Sequence, residues 1–249
     1  MRMPVDERAF AWHSTYQRGV LSRSQAVACG FSLDALRHRL RPGGPWQRLL
    51  PGVYLTATGQ PTREQLLIAS MVYTAPHGLI TGPAALANYR VRGPQARVVD
   101  VLVPAASKRS GSGFVVEHRT WRIPKEVICD GPIRYAPAGR AVADTVRALA
   151  GSDLAGVRAI VAGAVQQGRC TIADLAAELQ SGPVRGSATL RAVLAEVIGR
   201  DPVPGRGRSA GPDPLLRAAP AALQPEAVPA WRGVPGSARR VVARLRRRR

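Results

Sequence analysis

Residues 19–44, GVLSRSQAVACGFSLDALRHRLRPGG, hold two serine-led helical patterns separated by Cys29-Gly30. Ser22 suits the N-cap of RSQAVA, and Gln25, three positions on, completes a capping box. Gly30 can adopt the left-handed backbone that stops a helix and turns the chain. Ser32 then caps LDALRHRL. Each cap contributes about 1 kcal/mol, enough to fix where a two-turn helix begins. Leu33, Leu36 and Leu40 recur at i, i+3 and i+7, the spacing of a buried stripe, and burying each contributes roughly 1.5–3 kcal/mol. Arg37, His38 and Arg41 then point away from the core, with Arg39 at its margin. Helix, tight turn and a second helix with a cationic outer face is the order of a helix-turn-helix, and a helix of this size fits a major groove.

The next segment extends that reading. WQRLLPGVYL (46–55) reads as two short strands around Pro51-Gly52, where Pro presets one turn residue and Gly supplies the positive φ of the other. A hairpin directly after a recognition helix is a wing, on which Arg48, with Arg41, would meet phosphates. Arg23, at the start of the first helix of the pair, joins the candidate DNA-binding set. AFAWHSTYQ (9–17) supplies a preceding helix with Phe10 and Trp12 as packing residues. Residues 1–57 are therefore expected to form a winged helix-turn-helix DNA-binding domain. The plainer alternative is a solvated helix pair. Arg37 facing a guanine would discriminate by about 1–3 kcal/mol, whereas the same side chain in water would contribute almost nothing, and His38 reads equally as an ordinary surface residue.

Residues 62–198 read as an α+β region, a central mixed portion with a helical end. Thr62 and Gln65 offer a second capping box before LLIASMVY, and Pro83 suits the first turn of a helix in GPAALANY. VVDVLVP (98–104) and FVVEH (114–118) have strand composition and are joined by a Ser/Gly/Lys loop. Four helical patterns follow: AGRAVADTVRALA, LAGVRAIVAGAVQQG, IADLAAELQ and SATLRAVLAEVIG. Their apolar faces serve an ordinary core or a surface for a second copy or another protein.

Residues 199–249 have a different texture, with 12 Arg and 8 Pro against three acids in 200–249 and a final RLRRRR. Pro recurs too often for helix, and too little apolar surface is present to offset the ordering entropy. A disordered basic tail is expected, either natural or the product of a shifted reading frame. The whole chain carries 36 basic and 16 acidic residues, a net charge of +20. That balance favours a polyanion, nucleic acid before an anionic membrane. Of the basic residues 34 are Arg, with Lys only at 108 and 125, a bias that a GC-rich genome explains better than recognition does. No apolar run approaches the ~18 residues of a membrane span, so a cytoplasmic protein is expected.

The run GVLSRSQAVACGFS…LRHRL…WQRLLPGVYL, followed by LITGPAALANYRVRG, resembles the AbiEi-type antitoxins and transcriptional regulators of bacterial type IV toxin–antitoxin systems. The likeness covers about residues 5–198 and is strongest over 19–55. It implies an N-terminal winged helix that represses its own operon, and a second domain (62–198) linked to countering a nucleotidyltransferase toxin. It would make the helix at 33–41 and the wing near 46–55 the DNA-contacting parts. Many relatives continue into a Vsr-like or restriction-endonuclease-like domain, from which this chain departs near residue 199. The partners so implied are double-stranded DNA, a toxin protein and a second copy of the chain.

An enzymatic alternative is a degenerate or truncated nuclease; another is a protein-interaction module without DNA binding. A restriction-type nuclease needs an acidic pair for Mg²⁺ and usually a lysine. Asp100 and Glu117, on neighbouring strands with Lys108 in the loop between, sketch such a site faintly, but solvent-side strand residues are the expected reading. His77 and His118 show no partner at usable spacing. Cys29, Cys129 and Cys170 lie too far apart for a CxxC motif. No catalytic residue, cofactor or metal is expected.

Overall fold

Side-chain caps set the helix starts near the N-terminus. In the computed structural model, which describes residues 4–108, 110–149 and 154–200, helix α1 (Glu7–Tyr16) begins at Asp6, whose carboxylate accepts from the Ala9 N–H. Strand β1 (Val20–Ser22) runs directly into α2 (Arg23–Ala28), where Ser22 and Gln25 make both bonds of the capping box. Gly30 turns the chain at φ +91°, and a Cβ there would lie 2.7 Å from the Pro4 carbonyl oxygen. Any other residue would meet a strained backbone and a steric wall together. Ser32 caps α3 (Leu33–Arg39) through the Ala35 N–H. Strands β2 (Gln47–Leu50) and β3 (Val53–Leu55) turn at Pro51-Gly52, with Gly52 at φ +73°. The three strands form an antiparallel sheet in the order β1-β3-β2.

The central strand, β3, is buried on both faces. Val53 and Leu55 enter the main core with Val20 and Leu50, whereas Tyr54 enters a smaller cluster with Ala26, Cys29, Phe31, Leu36 and Trp46. Phe10 stacks on Trp46 at 5.9 Å, and Phe31 meets Phe10 and Trp46 edge-on at 5.3 and 5.2 Å. Trp12, expected to pack with Phe10, is instead 51 % exposed and stacks on Tyr16. Leu33 also departs from expectation, being 43 % exposed. The buried arc of α3 centres between Leu36 and Arg39, because the Arg39 guanidinium lies over the rings of Phe31 and Trp46 at 5.1 and 5.5 Å. At 100° per residue that rotation swings Leu33 outward.

Helix α4 (Arg63–Tyr73) starts at a full Thr62/Gln65 capping box. After it come β4 (Leu79–Ile80), α5 (Gly82–Asn88), β5 (Val99–Pro104), β6 (Val115–Thr120), β7 (Ile128–Asp130) and β8 (Ile133–Tyr135). The strands order as β6-β5-β4-β8-β7, with β5/β6 and β4/β8 parallel and the other pairs antiparallel. Helices α6 (Ala138–Ala148), α7 (Leu154–Gln166), α8 (Ile172–Ser181) and α9 (Ala188–Arg200) complete an α+β architecture close to the four helical patterns of the sequence. Short strands β1, β4, β7 and β8 have no counterpart in the sequence reading. From residue 201 on, the expected basic tail lies outside the described residues. Among the described residues no helix is long and apolar enough to cross a membrane.

Residues 57–62 form a largely exposed link, but the elements on either side of it share one core. Leu67, Ile68 and Met71 of α4 share one core with Val20, Val53 and Leu55 before them and Val99, Val101 and Val103 after them. Leu55→Ala would leave a cavity in that shared core and is expected to cost about 2–5 kcal/mol. Native-state amide exchange checks this: protection in β3 and in β5 should fall together, and loss confined to β3 would mean the core is not shared energetically.

Candidate functional site

The outer face of α3 is built by the same forces that bury its inner one. Leu36 is buried and Leu40 half-buried against the aromatic cluster, so the opposite side presents Leu33, Asp34, Arg37 and His38, with Arg41 just past the helix end. Arg37 Nη1 donates to Asp34 Oδ1 at 2.7 Å, with both side chains nearly four-fifths exposed. Such a pair contributes only about 0–1 kcal/mol, so the guanidinium can exchange Asp34 for another acceptor at little cost. Arg41 Nη1 lies 2.8 Å from His38 Nδ1. The same Nη1 lies 2.7 Å from Nε2, so the Arg41 guanidinium and the His38 ring are held side by side.

The remaining candidates divide. Arg39 is not part of the outer face: its guanidinium covers Phe31 and Trp46, and its Nε is buried without a hydrogen-bond partner among the described residues. Its role is to close the aromatic cluster. Arg48 is exposed on the edge strand β2, across from Tyr54 of β3. Arg23 is exposed at the start of α2, and its N–H donates to the Gly52 carbonyl at 2.7 Å. That bond ties the first helix of the pair to the hairpin turn. Arg23, Arg37, His38, Arg41 and Arg48 thus stand exposed on the N-terminal elements, while Arg39 is drawn inward.

The sketched acidic pair does not assemble. In the parallel β5/β6 register Val101 lies opposite Glu117, and Asp100 opposite Val116. Alternation along a strand therefore puts Asp100 and Glu117 on opposite faces of the sheet. Among the described residues no group of three His, Cys, Asp or Glu is placed to hold a metal ion. What the register does bring together is Asp100 and His118, whose Oδ1 and Nε2 are 2.7 Å apart. That pair corrects the reading of His118 as partnerless. The two residues are 18 positions apart, and only the strand register, invisible in composition, could have revealed them.

The hydrogen bond to Asp100 raises the His118 pKa above its ordinary value, against the lowering effect of burial. A raised folded pKa means that the pair stabilises the fold fully below the unfolded value and loses that contribution as pH rises through the folded one. No family model matches the chain, and no curated protein matches it either. A ¹H–¹⁵N NMR titration of the His118 ring should show a midpoint above 6.5 that drops in Asp100→Asn. An unmoved midpoint would remove Asp100 as the cause.

Proposed function

We propose that the protein is a DNA-binding transcriptional regulator whose residues 4–57 act as a winged helix-turn-helix. The observation that carries this reading is the outer face of α3, where Arg37 and His38, with Arg41 just past the helix end, stand exposed on an element braced from behind by Leu36 and the aromatic cluster. The order of elements supports it: α1, β1, α2, a glycine turn, α3, then the β2–β3 hairpin in a three-stranded sheet. In this reading α3 enters the major groove, where guanidinium groups pair with guanine O6 and N7. Asp34 can accept from a cytosine amino group, and the exposed Leu33 can meet a thymine methyl. Arg48 on the hairpin and Arg23 beside its turn take phosphates, which position the helix without reading sequence. The antitoxin role, autorepression with countering of a toxin, rests on the family resemblance of residues 5–198 and is proposed with it.

Fluorescence anisotropy on the upstream DNA of its own gene, with excess nonspecific duplex to occupy the charged chain, tests the regulator reading. Saturable binding should weaken with salt at a slope of about −0.9 per phosphate neutralised. Arg37→Ala with Arg41→Ala should reduce sequence-specific affinity by at least about tenfold, while Arg48→Ala should weaken binding to all sequences and flatten the salt slope by about one unit. Unchanged specific affinity in the double variant would overturn the assignment.

A further inference from the structure

The N-terminal elements leave a second group of cations unused. Arg90, Arg92 and Arg97 stand exposed on the link between α5 and β5, and Lys108 stands exposed on the link between β5 and β6. None of the four pairs with a carboxylate among the described residues, whereas Arg122, Arg140 and Arg147 around α6 are each held by Asp144 or Glu178. The local sequence is the reason. Asp100 is the only acidic residue from 65 to 116, and its carboxylate is taken by His118. Glu117 comes next, but both of its carboxylate oxygens are buried without a hydrogen-bond partner among the described residues, so it ties down no surface cation.

Backbone contacts fix where Arg97 and Lys108 stand. The Val99 N–H donates to the Phe114 carbonyl at 2.7 Å. Arg97, two residues before Val99, and Gly113, one before Phe114, therefore lie at the same end of the β5/β6 pair. A Cβ at Gly113 would lie 3.4 Å from Leu50 Cδ2, in van der Waals contact. Leu50 ends β2 and leads into the Pro51-Gly52 turn, where the Gly52 carbonyl accepts from the Arg23 N–H. That end of β5 and β6 thus abuts β2 where it enters the hairpin turn. The link that carries Lys108 is pinned in turn. Tyr73 Oη donates to the Ser110 carbonyl at 2.9 Å, and a Cβ at Gly111 would meet the Val115 carbonyl oxygen at 2.5 Å. Because the elements on both sides of residues 57–62 share one core, both links keep a fixed spacing from α3.

We infer that Arg97 and Lys108 form a second contact to double-stranded DNA, taking phosphates of the duplex that runs past the hairpin side of α3. The inference rests on the reading of residues 4–57 as a winged helix-turn-helix and lengthens the bound duplex beyond what those residues cover. Exposed cations without an ion pair move onto phosphate at little cost, because no partner has to be given up first, and each phosphate neutralised releases counterions. Such contacts position the duplex and read no sequence. They add to those of α3 without a second association cost only when the two sets are already held at a matching distance, which the shared core provides. Arg90 and Arg92 on the same link extend the positive field that draws the duplex there.

Anisotropy across a salt series and hydroxyl-radical footprinting, both with the full chain on a long duplex from upstream of its own gene, test the contact. Arg97→Ala with Lys108→Ala should flatten the salt slope by about 1.8 units, two phosphates at about 0.9 each, and weaken binding by about tenfold or more. Protection over α3 should stay, and protection on the hairpin side should shorten. Arg97→Lys with Lys108→Arg should keep the native slope, since a phosphate contact needs charge and not shape. Lys125→Ala with Arg185→Ala, an equal loss of charge at exposed positions on the β6–β7 and α8–α9 links, should change the slope by less than half as much. The proposal is overturned if the Arg97/Lys108 alanine variant binds like the native chain, if it loses no more than the charge-matched control, or if its footprint is unshortened. It is also overturned if that variant loses more affinity for single-stranded RNA of equal length than for the duplex. Failure of the underlying reading looks different: Arg37→Ala with Arg41→Ala would then keep native specificity while the Arg97/Lys108 variant still flattened the slope.

Discussion

Strand β3 is three residues long, and its burial on both faces holds the N-terminal elements in place. Because side chains alternate along a strand, Val53 and Leu55 point one way and Tyr54 the other. The first two belong to the core shared with α4 and β5, and Tyr54 belongs to the aromatic cluster beneath α3. A one-residue slip in register would exchange those faces and expose both cores at once. Positioning α3 is therefore coupled to the packing of the whole described chain, which gives a short helix a rigidity its own hydrogen bonds could not supply.

Arginine plays three separable parts here. On the outer face of α3 it is solvated and weakly paired, so its charge stays available to a partner at small cost. Over Phe31 and Trp46, Arg39 is spent on covering aromatic surface, where a planar cation adds both contact and cation–π attraction. In the α6 network Arg140 is buried, and its cost is tolerable only because Asp144, Glu178 and a main-chain carbonyl surround it. Removing one carboxylate from such a network leaves a charge that the interior cannot hydrate. The same residue type thus stays solvated, packs or braces according to what lies within a few ångströms of it.

Those distinctions mark what was legible in the sequence. The capping signals at Ser22, Ser32 and Thr62, the glycine turn at Gly30 and the Pro51-Gly52 turn are local, decided by a residue and its neighbours within four positions, and the helix starts follow them. The helices from 138 onward were legible for the same reason. The short strands β1, β4, β7 and β8 were not, and β1 and β4 exist only because neighbours at long sequence distance complete their hydrogen bonds. The direction of Leu33 escaped because leucine spacing allows several rotations of a short helix, and a cation–π contact selects among them. The Asp100–His118 pair and the arginine cluster around α6 escaped because they are assembled from five separate stretches of the chain.

Net charge alone explains little of this. A chain at +20 attracts any polyanion at a distance, but long-range attraction carries no sequence information and falls away as salt rises. Selectivity has to come from cations whose positions are fixed before the partner arrives. The outer face of α3 is fixed by the aromatic cluster behind it, and the arginines around α6 are fixed by the Arg140–Asp144 bond. In both places one arginine is drawn inward, Arg39 over the Phe31 and Trp46 rings and Arg140 against Asp144. Counting arginines would have ranked these two with the rest, whereas their packing separates them from the solvated arginines.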